Sequence, residues 1–437
     1  MARAQWNSKI GFVLASCGAT VGLGSIWKFP YVAANNGGGA FILIFTLIIF
    51  TLGLALLLAE VAIGRAAHCG AVGAFKKLGS SRWSFIGYIG VLCGFLVLSF
   101  YSVVGGWTIG YLVRSFDGRV MQGNLSVLEK VFGDYVSSPI EPIMTHGIFL
   151  FLTLIIVMSG VQKGIERASK FLMPLLFFLI LFLIFRSVTL PGASEGLLKF
   201  MAPDFSKVTT NMLVDALGLA FFSLSVGAGC MLAYGSYLDK KVKLKNSAFW
   251  ISFLTIISSV LAGLMIFPAL TTFGLKPVAG PGLSYITMPV IFYNLPFGQI
   301  FAVAFFALLL VASLTSAVSL LELTAIYFID EHKMSRKKTT FLVCLFAFLV
   351  GIPVSLSFGL ISEVKLFNLN FFQLLDYLTS NLLLPIGGIG IAIFTGWVAW
   401  PTIKNELEFS PPLAFAMEWM CKLIAPILIV FILIYNI

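Results

Sequence analysis

Charge is scarce in this chain. Of its 437 residues only 11% are Asp, Glu, Lys or Arg, against about 25% in soluble domains. A water-soluble protein is thereby excluded, and a hydrophobic content of 59% points to a polytopic membrane protein. Histidine is nearly absent: His68, His146 and His332 are scattered near loops. The six cysteines, Cys17, Cys69, Cys93, Cys230, Cys344 and Cys421, lie mostly within apolar runs and show no metal-ligand spacing. They read as small buried side chains. No span carries a nucleophile–base set, which argues against a membrane enzyme. Linkers and low-complexity tracts are missing, so one domain over 1–437 is expected, and no secretory signal is visible ahead of the first apolar run. The net charge of +10 does not imply nucleic acid, because most basic residues fall in loops on one side of the membrane.

What the chain does have is long apolar runs. At roughly 20 residues per crossing, eleven spans are predicted, near 9–32, 39–64, 84–114, 144–160, 168–188, 211–237, 247–273, 297–330, 339–358, 367–398 and 412–435. One set of connections holds Arg65, Lys76, Lys77, Arg82, Lys163, Arg167, Lys170, Lys240, Lys241, Lys243, Lys245, Lys333, Arg336, Lys337, Lys338 and Lys404. The opposite set is much poorer, chiefly Arg114, Arg119, Lys130, Lys199, Lys207, Lys276 and Lys365. Positive charge marks the cytoplasm. The amino terminus, with Arg3 and Lys9, is therefore expected inside the cell, and an odd number of spans puts Ile437 outside. Of the outer loops, 274–296 is long enough to fold over an entrance.

Two of the spans are interrupted. Gly18-Ala-Thr-Val-Gly-Leu-Gly-Ser25 places three glycines in the middle of the first. Glycine weakens a helix by about 1 kcal/mol relative to alanine, so the backbone is invited to unwind. Phe222-Ser-Leu-Ser-Val-Gly-Ala-Gly229 does the same five spans later. Unwound backbone at membrane depth is tolerated only where it is buried in protein or lines a polar cavity. Two such breaks at corresponding positions of two halves point to a binding site at the bilayer midplane, the pattern of a secondary transporter.

These residues resemble the neurotransmitter:sodium symporter family over nearly the whole chain. The resemblance rests on Val21-Gly-Leu-Gly-Ser-Ile-Trp-Lys-Phe-Pro30, Asn36-Gly-Gly-Gly-Ala-Phe41, Glu60-Val-Ala-Ile-Gly-Arg65, Lys163-Gly-Ile-Glu-Arg167, Ala220-Phe-Phe-Ser-Leu-Ser225 and Ser313-Leu-Thr-Ser316, in that order. The leucine transporter of this family is a standard case of broken-helix binding. The resemblance implies an all-α membrane fold of two inverted five-helix repeats, about 9–188 and 211–398, with helices 1 and 6 broken. A further helix follows at about 412–435. Typical members have twelve helices; eleven fits a bacterial member, as does the lack of paired cysteines in loop 115–143.

By the same resemblance, a second sodium site is expected from the carbonyls of Gly18, Val21 and Ala312 and the hydroxyls of Thr315 and Ser316. Without it, Thr315 and Ser316 would read as side chains bonding back to their own helix. The first sodium site departs from the family pattern. Amides are expected where Ser25 and Thr255 stand, leaving these hydroxyls with Thr20 and Ser223. Chloride is expected to be dispensable, since Phe45 and Leu219 replace two anion ligands beside Ser259, and Asp215 is read as a residue at a helix mouth. Substrate residues implied are Thr20, Gly22, Leu23, Gly24, Val97, Tyr101, Phe222, Ser223, Ser225, Ala228, Ser316 and Leu320. Backbone N–H groups near Leu23 and Gly24, with the Tyr101 hydroxyl, suit a carboxylate. Amine-transporting members carry an aspartate at the Gly22 position, so glycine favours a zwitterionic amino acid. Ala228 stands where the leucine transporter has phenylalanine, which favours a larger, aromatic or hydrophobic side chain.

Charged residues inside a membrane protein default to functional readings. Lys28 with Asp376 matches the family's outer gate pair, and Arg3 with Asp330 the inner one, with Trp6 and Tyr237 alongside. Glu60 is expected to bond to freed backbone of the broken helices, and Glu322 to do similarly. The leading expectation is a sodium-coupled amino-acid symporter of the cell membrane working by alternating access. A sensor with the transporter fold, or a symporter of another small carboxylate-bearing solute, stands as the alternative. A channel is disfavoured because the polar residues cluster between two gates. The sequence leaves a homodimer open.

Overall fold

The computed structural model describes residues 4–275 and 280–436. Among them the fold is helical, with no strand beyond two isolated bridges. The spans are α1 (Lys9–Thr20 and Gly24–Asn35), α2 (Gly39–Ala67), α3 (Ser81–Phe116), α4 (Glu141–Met158), α5 (Val161–Val188) and α6 (Thr210–Leu224 and Cys230–Gly235). They continue with α7 (Leu244–Thr272), α8 (Gly298–His332), α9 (Arg336–Leu356), α10 (Phe371–Val398) and α11 (Pro411–Tyr435). Nine helices among the described residues are long and apolar enough to cross a membrane, ten when the halves of α1, bent by 58°, count as one. The remaining expected span, α6, is split into halves each too short to qualify alone.

Burial separates scaffold from periphery. In α3 and α8, 72% of the most apolar window is buried; in α5 and α11 the share is 28%. The first pair therefore forms the interior and the second faces lipid. Small side chains let α8 approach the first half of α1, where a Cβ on Gly18 would lie 2.8 Å from Thr315 Cβ.

Both breaks have local causes. The first half of α1 starts on Ser8, whose hydroxyl accepts from the Gly11 N–H at 3.0 Å, and ends at Val21. In α6 the helix stops at Ser225, in the left-handed region at φ 52°, and Gly227 and Gly229 follow at φ 99° and 87°. Only glycine adopts such angles freely. The Gly227 N–H thus freed donates to Glu60 Oε1 at 2.7 Å, which satisfies it without water.

Two expectations are corrected. The stretch 161–167, read as a charged connection, belongs to α5: Gly160, at φ 89°, makes the turn and the helix resumes at once. Its basic side chains extend from the helix end rather than from a loop. Glu322 does not bond to freed backbone of the broken helices. It lies on α8 about two turns past Ser316, where it pairs with Arg336 at 2.6 Å and accepts from the Tyr237 hydroxyl. The expected cover over an entrance falls partly on 276–279, outside the described residues.

Candidate functional site

The two breaks face each other across α3 and α8, and a cavity lies between them. All twelve residues named for substrate from the sequence line it, from Thr20, Gly22, Leu23 and Gly24 on α1 to Ser316 and Leu320 on α8. Ser25, Ala19, Cys230, Ser319 and Leu384 complete the lining. Ser319 was within reach of sequence reasoning, since it lies three residues after Ser316 on the same face. Leu384 comes from α10, and no local pattern announces it.

The α1 break presents its backbone to one spot. The Leu23 N–H donates to the Tyr101 hydroxyl at 3.2 Å. A Cβ on Gly22 would sit 2.8 Å from Ser316 Oγ and 3.0 Å from Tyr101 OH. Any side chain at 22 would therefore fill the space between these hydroxyls. Gly24 lies flat under the Phe222 ring, which a Cβ there would strike. The Ser225 hydroxyl donates to the Ala19 carbonyl at 3.0 Å, tying the two breaks together.

The residues named for the second sodium site converge. Ser316 Oγ donates to the Gly18 carbonyl at 3.0 Å, bridging α8 and α1. Thr315 Oγ1 donates to Val311 O and Ala312 O, both at 3.1 Å. Two carbonyls and two hydroxyls, with Val21 at the end of the helix, form a neutral oxygen set suited to a hard monovalent cation. No group of three or more His, Cys, Asp or Glu with metal-site geometry occurs among the described residues. At the first site Thr20 Oγ1 and Thr255 Oγ1 lie 2.7 Å apart. The buried hydroxyls of Ser25 and Ser223 have no hydrogen-bond partner there. Leaving a buried hydroxyl unpaired costs about 1–3 kcal/mol, so these two oxygens are poised for a ligand.

Around the chloride position Phe45 packs against Phe29 and Phe41, with centroids 4.9 and 6.1 Å away, and Ser259 Oγ donates to Thr255 O at 3.0 Å. Leu219 is buried. Asp215 is exposed and accepts from Asn36 Nδ2 at 3.2 Å, at the mouth of α6.

The residues expected to form the gates fall on opposite sides of the cavity. Lys28 and Asp376 are exposed and make no ion pair with each other; Lys28 Nζ lies 5.3 Å from the Phe222 centroid, and Asp376 accepts from Ser380 at 2.9 Å. On the other side Trp6 Nε1 donates to Tyr234 O at 3.0 Å and the Trp6 N–H to Tyr237 O at 3.2 Å. Asp330 Oδ2 accepts from the Gly70 N–H at 2.6 Å. Arg3, its expected partner, lies outside the described residues. Glu166, not singled out from sequence, is buried and accepts from Asn7 N–H at 2.8 Å, Ser8 Oγ at 2.9 Å and Lys170 Nζ at 2.7 Å.

Comparison with known proteins places this geometry. The sodium:neurotransmitter symporter family matches residues 3–126 and 140–437. The sodium-dependent transporter YhdH of Bacillus subtilis is 44% identical over 391 residues, covering 89% of this chain and 87% of that one. The human sodium- and chloride-dependent GABA transporter 2 is 27% identical over 492 residues, covering 97% of this chain and 80% of its own. The crystal structure of MhsT in complex with L-phenylalanine superposes with a TM-score of 0.91 over the whole of both chains, at 40% identity. The chain is a sodium-dependent symporter and not an enzyme: it belongs to the sodium:neurotransmitter symporter family.

Proposed function

We propose that this symporter imports a zwitterionic amino acid with a large hydrophobic or aromatic side chain, together with sodium, by alternating access. The observation that carries the reading is the convergence of the Leu23 N–H, the Tyr101 hydroxyl and the Ser316 hydroxyl beside Gly22, where a side chain would crowd both hydroxyls. Three groups able to donate at one place suit a carboxylate once it displaces the bonds they now make. The α-amino group then meets the carbonyls of Thr20, Phe222 and Ser223 and the Ser225 hydroxyl. Val97, Phe222, Ala228 and Leu320 take the side chain. The phenylalanine bound to MhsT supports the class.

Size sets a condition. The cavity is small, about 60 Å³, room for a few waters at roughly 10–15 Å³ each. A phenylalanine-sized ligand therefore requires the half-buried Phe222 ring to swing outward or α6 to shift.

Sodium coupling runs chiefly through the second site in this reading. On binding, the ion takes the Gly18 carbonyl that now accepts from Ser316, and the Ser316 and Thr315 oxygens turn toward it. Ser316 also lines the substrate cavity, so one side chain feels both ligands. Hydroxyls at Ser25 and Thr255, where the family pattern has amides, make the first site a weaker seat. Chloride is dispensable. The amino terminus is cytoplasmic, and eleven spans in two inverted repeats make one transporter domain. Inward sodium movement supplies about 2.3 kcal/mol per ion per 100 mV.

The test is a thermal-shift screen of amino acids with and without sodium, followed by uptake into proteoliposomes with gluconate in place of chloride. Sodium-dependent stabilisation by large apolar amino acids, with chloride-independent uptake, is expected. Ala228→Phe should turn preference toward smaller side chains, by about 1–3 kcal/mol per methylene at most. An unchanged order of selectivity removes the large-substrate reading, and binding without uptake favours a sensor.

A further inference from the structure

A second cavity lies outside the central one, in the wall between α3, α8 and α9. It holds about 540 Å³ and is apolar almost throughout, with Leu92 and Phe95 from α3, Phe328 from α8, and Leu342, Val343 and Phe346 from α9. Leu92 and Phe346 are about half exposed, at 50% and 55%. Both belong to helices of membrane-spanning length, so the groove opens sideways toward hydrocarbon.

One end of the groove is basic. It runs up to the α8–α9 turn, where Lys333, Lys337 and Lys338 are exposed. Lys338 precedes Leu342 by four residues, so it stands one turn above it on the same face of α9. Arg336 is committed inward to Glu322, and Lys333 Nζ donates to the Asp330 carbonyl at 2.7 Å. Lys337 and Lys338 make no ion pair among the described residues. Tyr88 and Tyr327 meet edge to face at 5.8 Å at the same end, and tyrosines of this kind mark the depth of the lipid headgroups.

We propose that this groove seats an anionic phospholipid, with one acyl chain between α3 and α9 and the phosphate at Lys337 and Lys338. The apolar walls accept the chain of any lipid, so the lysines decide which headgroup stays. A lysine near an anionic leaflet contributes about fivefold in affinity; a zwitterionic headgroup gains little from it. The lipid bears on transport because α3 and α8 also carry the central site. Phe95 is two residues from Val97, and Phe328 is two turns beyond Leu320. A chain lodged between these helices holds their spacing where Tyr101, Thr315 and Ser316 must meet their ligands.

The experiment uses the full chain purified in detergent, with dioleoylphosphatidylglycerol and dioleoylphosphatidylcholine added in parallel, read by native mass spectrometry and thermal melting. Phosphatidylglycerol should be retained in preference by up to about twenty-five-fold, the product of about fivefold for each of two lysines. Lys337→Gln with Lys338→Gln should bring the two lipids near parity while leaving the lipid-free melting temperature unchanged. Leu92→Trp should lower the retention of both lipids. Equal retention by the unaltered protein, a preference that survives the double Gln change, or retention unaffected by Leu92→Trp each overturns the proposal. A dimer that persists without lipid and is broken by Leu92→Trp overturns it in favour of a second copy of the chain.

Discussion

The two sides of the central cavity are closed by very different chemistry. Toward Trp6, the chain is bonded in layers. Trp6 packs edge to face on Phe12, Tyr234 and Tyr237 at 5.9, 5.3 and 6.4 Å. Behind it Tyr237, Glu322 and Arg336 form one connected group, and Glu166 clamps Asn7 and Ser8. Toward Lys28 the closure is looser: Lys28 and Asp376 make no ion pair with each other, and the exposed Asp215 accepts from Asn36 at 3.2 Å. A half-buried phenylalanine ring and one exposed ammonium separate the cavity from a second hollow of about 180 Å³ lined by Lys28, Asp215 and Leu384. Charge-assisted bonds contribute about 1.5–3 kcal/mol each, whereas an exposed cation over a ring contributes about 0.5–1 kcal/mol. Opening toward Trp6 is thus the costly step, and the free energy of ion and substrate binding has to be directed there.

The sharpest way to break this asymmetry is Glu322→Ala. It leaves Arg336 partly buried without its carboxylate, and removing one member of such a pair costs about 3–5 kcal/mol. The melting temperature should fall by several degrees, and a cysteine introduced near Trp6 should label faster. Unchanged labelling would mean that the group only braces α8 against α9. Glu166→Gln comes next. It keeps the shape but removes the charge from three bonds, an expected loss of about 1.5–3 kcal/mol. Its signature is faster hydrogen exchange confined to 5–12; loss spread evenly over α5 would argue against a clamp.

What could be read in the sequence was local. Three glycines between Gly18 and Gly24, and the run Ser313-Leu-Thr-Ser316, announce a break and a polar patch because each is a property of neighbours in the chain. Tyr101, Ser225 and Ala228, which line the same cavity, were reached only through the family resemblance those motifs carry. Glu322 was misjudged because its partner sits on the next helix, and helix periodicity says nothing about which neighbour a buried carboxylate meets. The start of α5 was hidden by Lys163, Arg167 and Lys170, whose charge resembles a loop when the stems that carry it are ignored. Whether Lys28 and Asp376 meet depends on how their two helices are placed, which no local pattern in the sequence encodes.

Between the two sides lies the oxygen set proposed for sodium. Thr315→Ala with Ser316→Ala removes two hydroxyls, one of which bridges α8 to Gly18. Stabilisation by sodium should be lost, a change of about 1–3 kcal/mol typical of coupling between sites, beyond a drop in the sodium-free melting temperature from the lost Ser316–Gly18 bond, worth about 1 kcal/mol. A sodium response that persists unchanged would transfer the coupling to Ser25, Ser223 and Thr255.

The smallest effect is expected at Lys28, and it tests the comparison from the weak side. If the Lys28 side is held only by an ammonium over the Phe222 ring, Lys28→Ala should alter the stability of the unliganded protein by less than about 1 kcal/mol. Its influence should emerge with substrate present. If closure brings Lys28 toward Asp376 as proposed, losing either should speed substrate dissociation. A double-mutant cycle with Asp376→Asn separates the cases, because a latch that forms only on binding gives coupling in the dissociation rate and none in the unliganded melting temperature. Coupling already present without substrate would show the pair made in the resting protein. A loss as large as that of Glu322→Ala would erase the asymmetry altogether, since both sides would then be closed by bonds of equal strength.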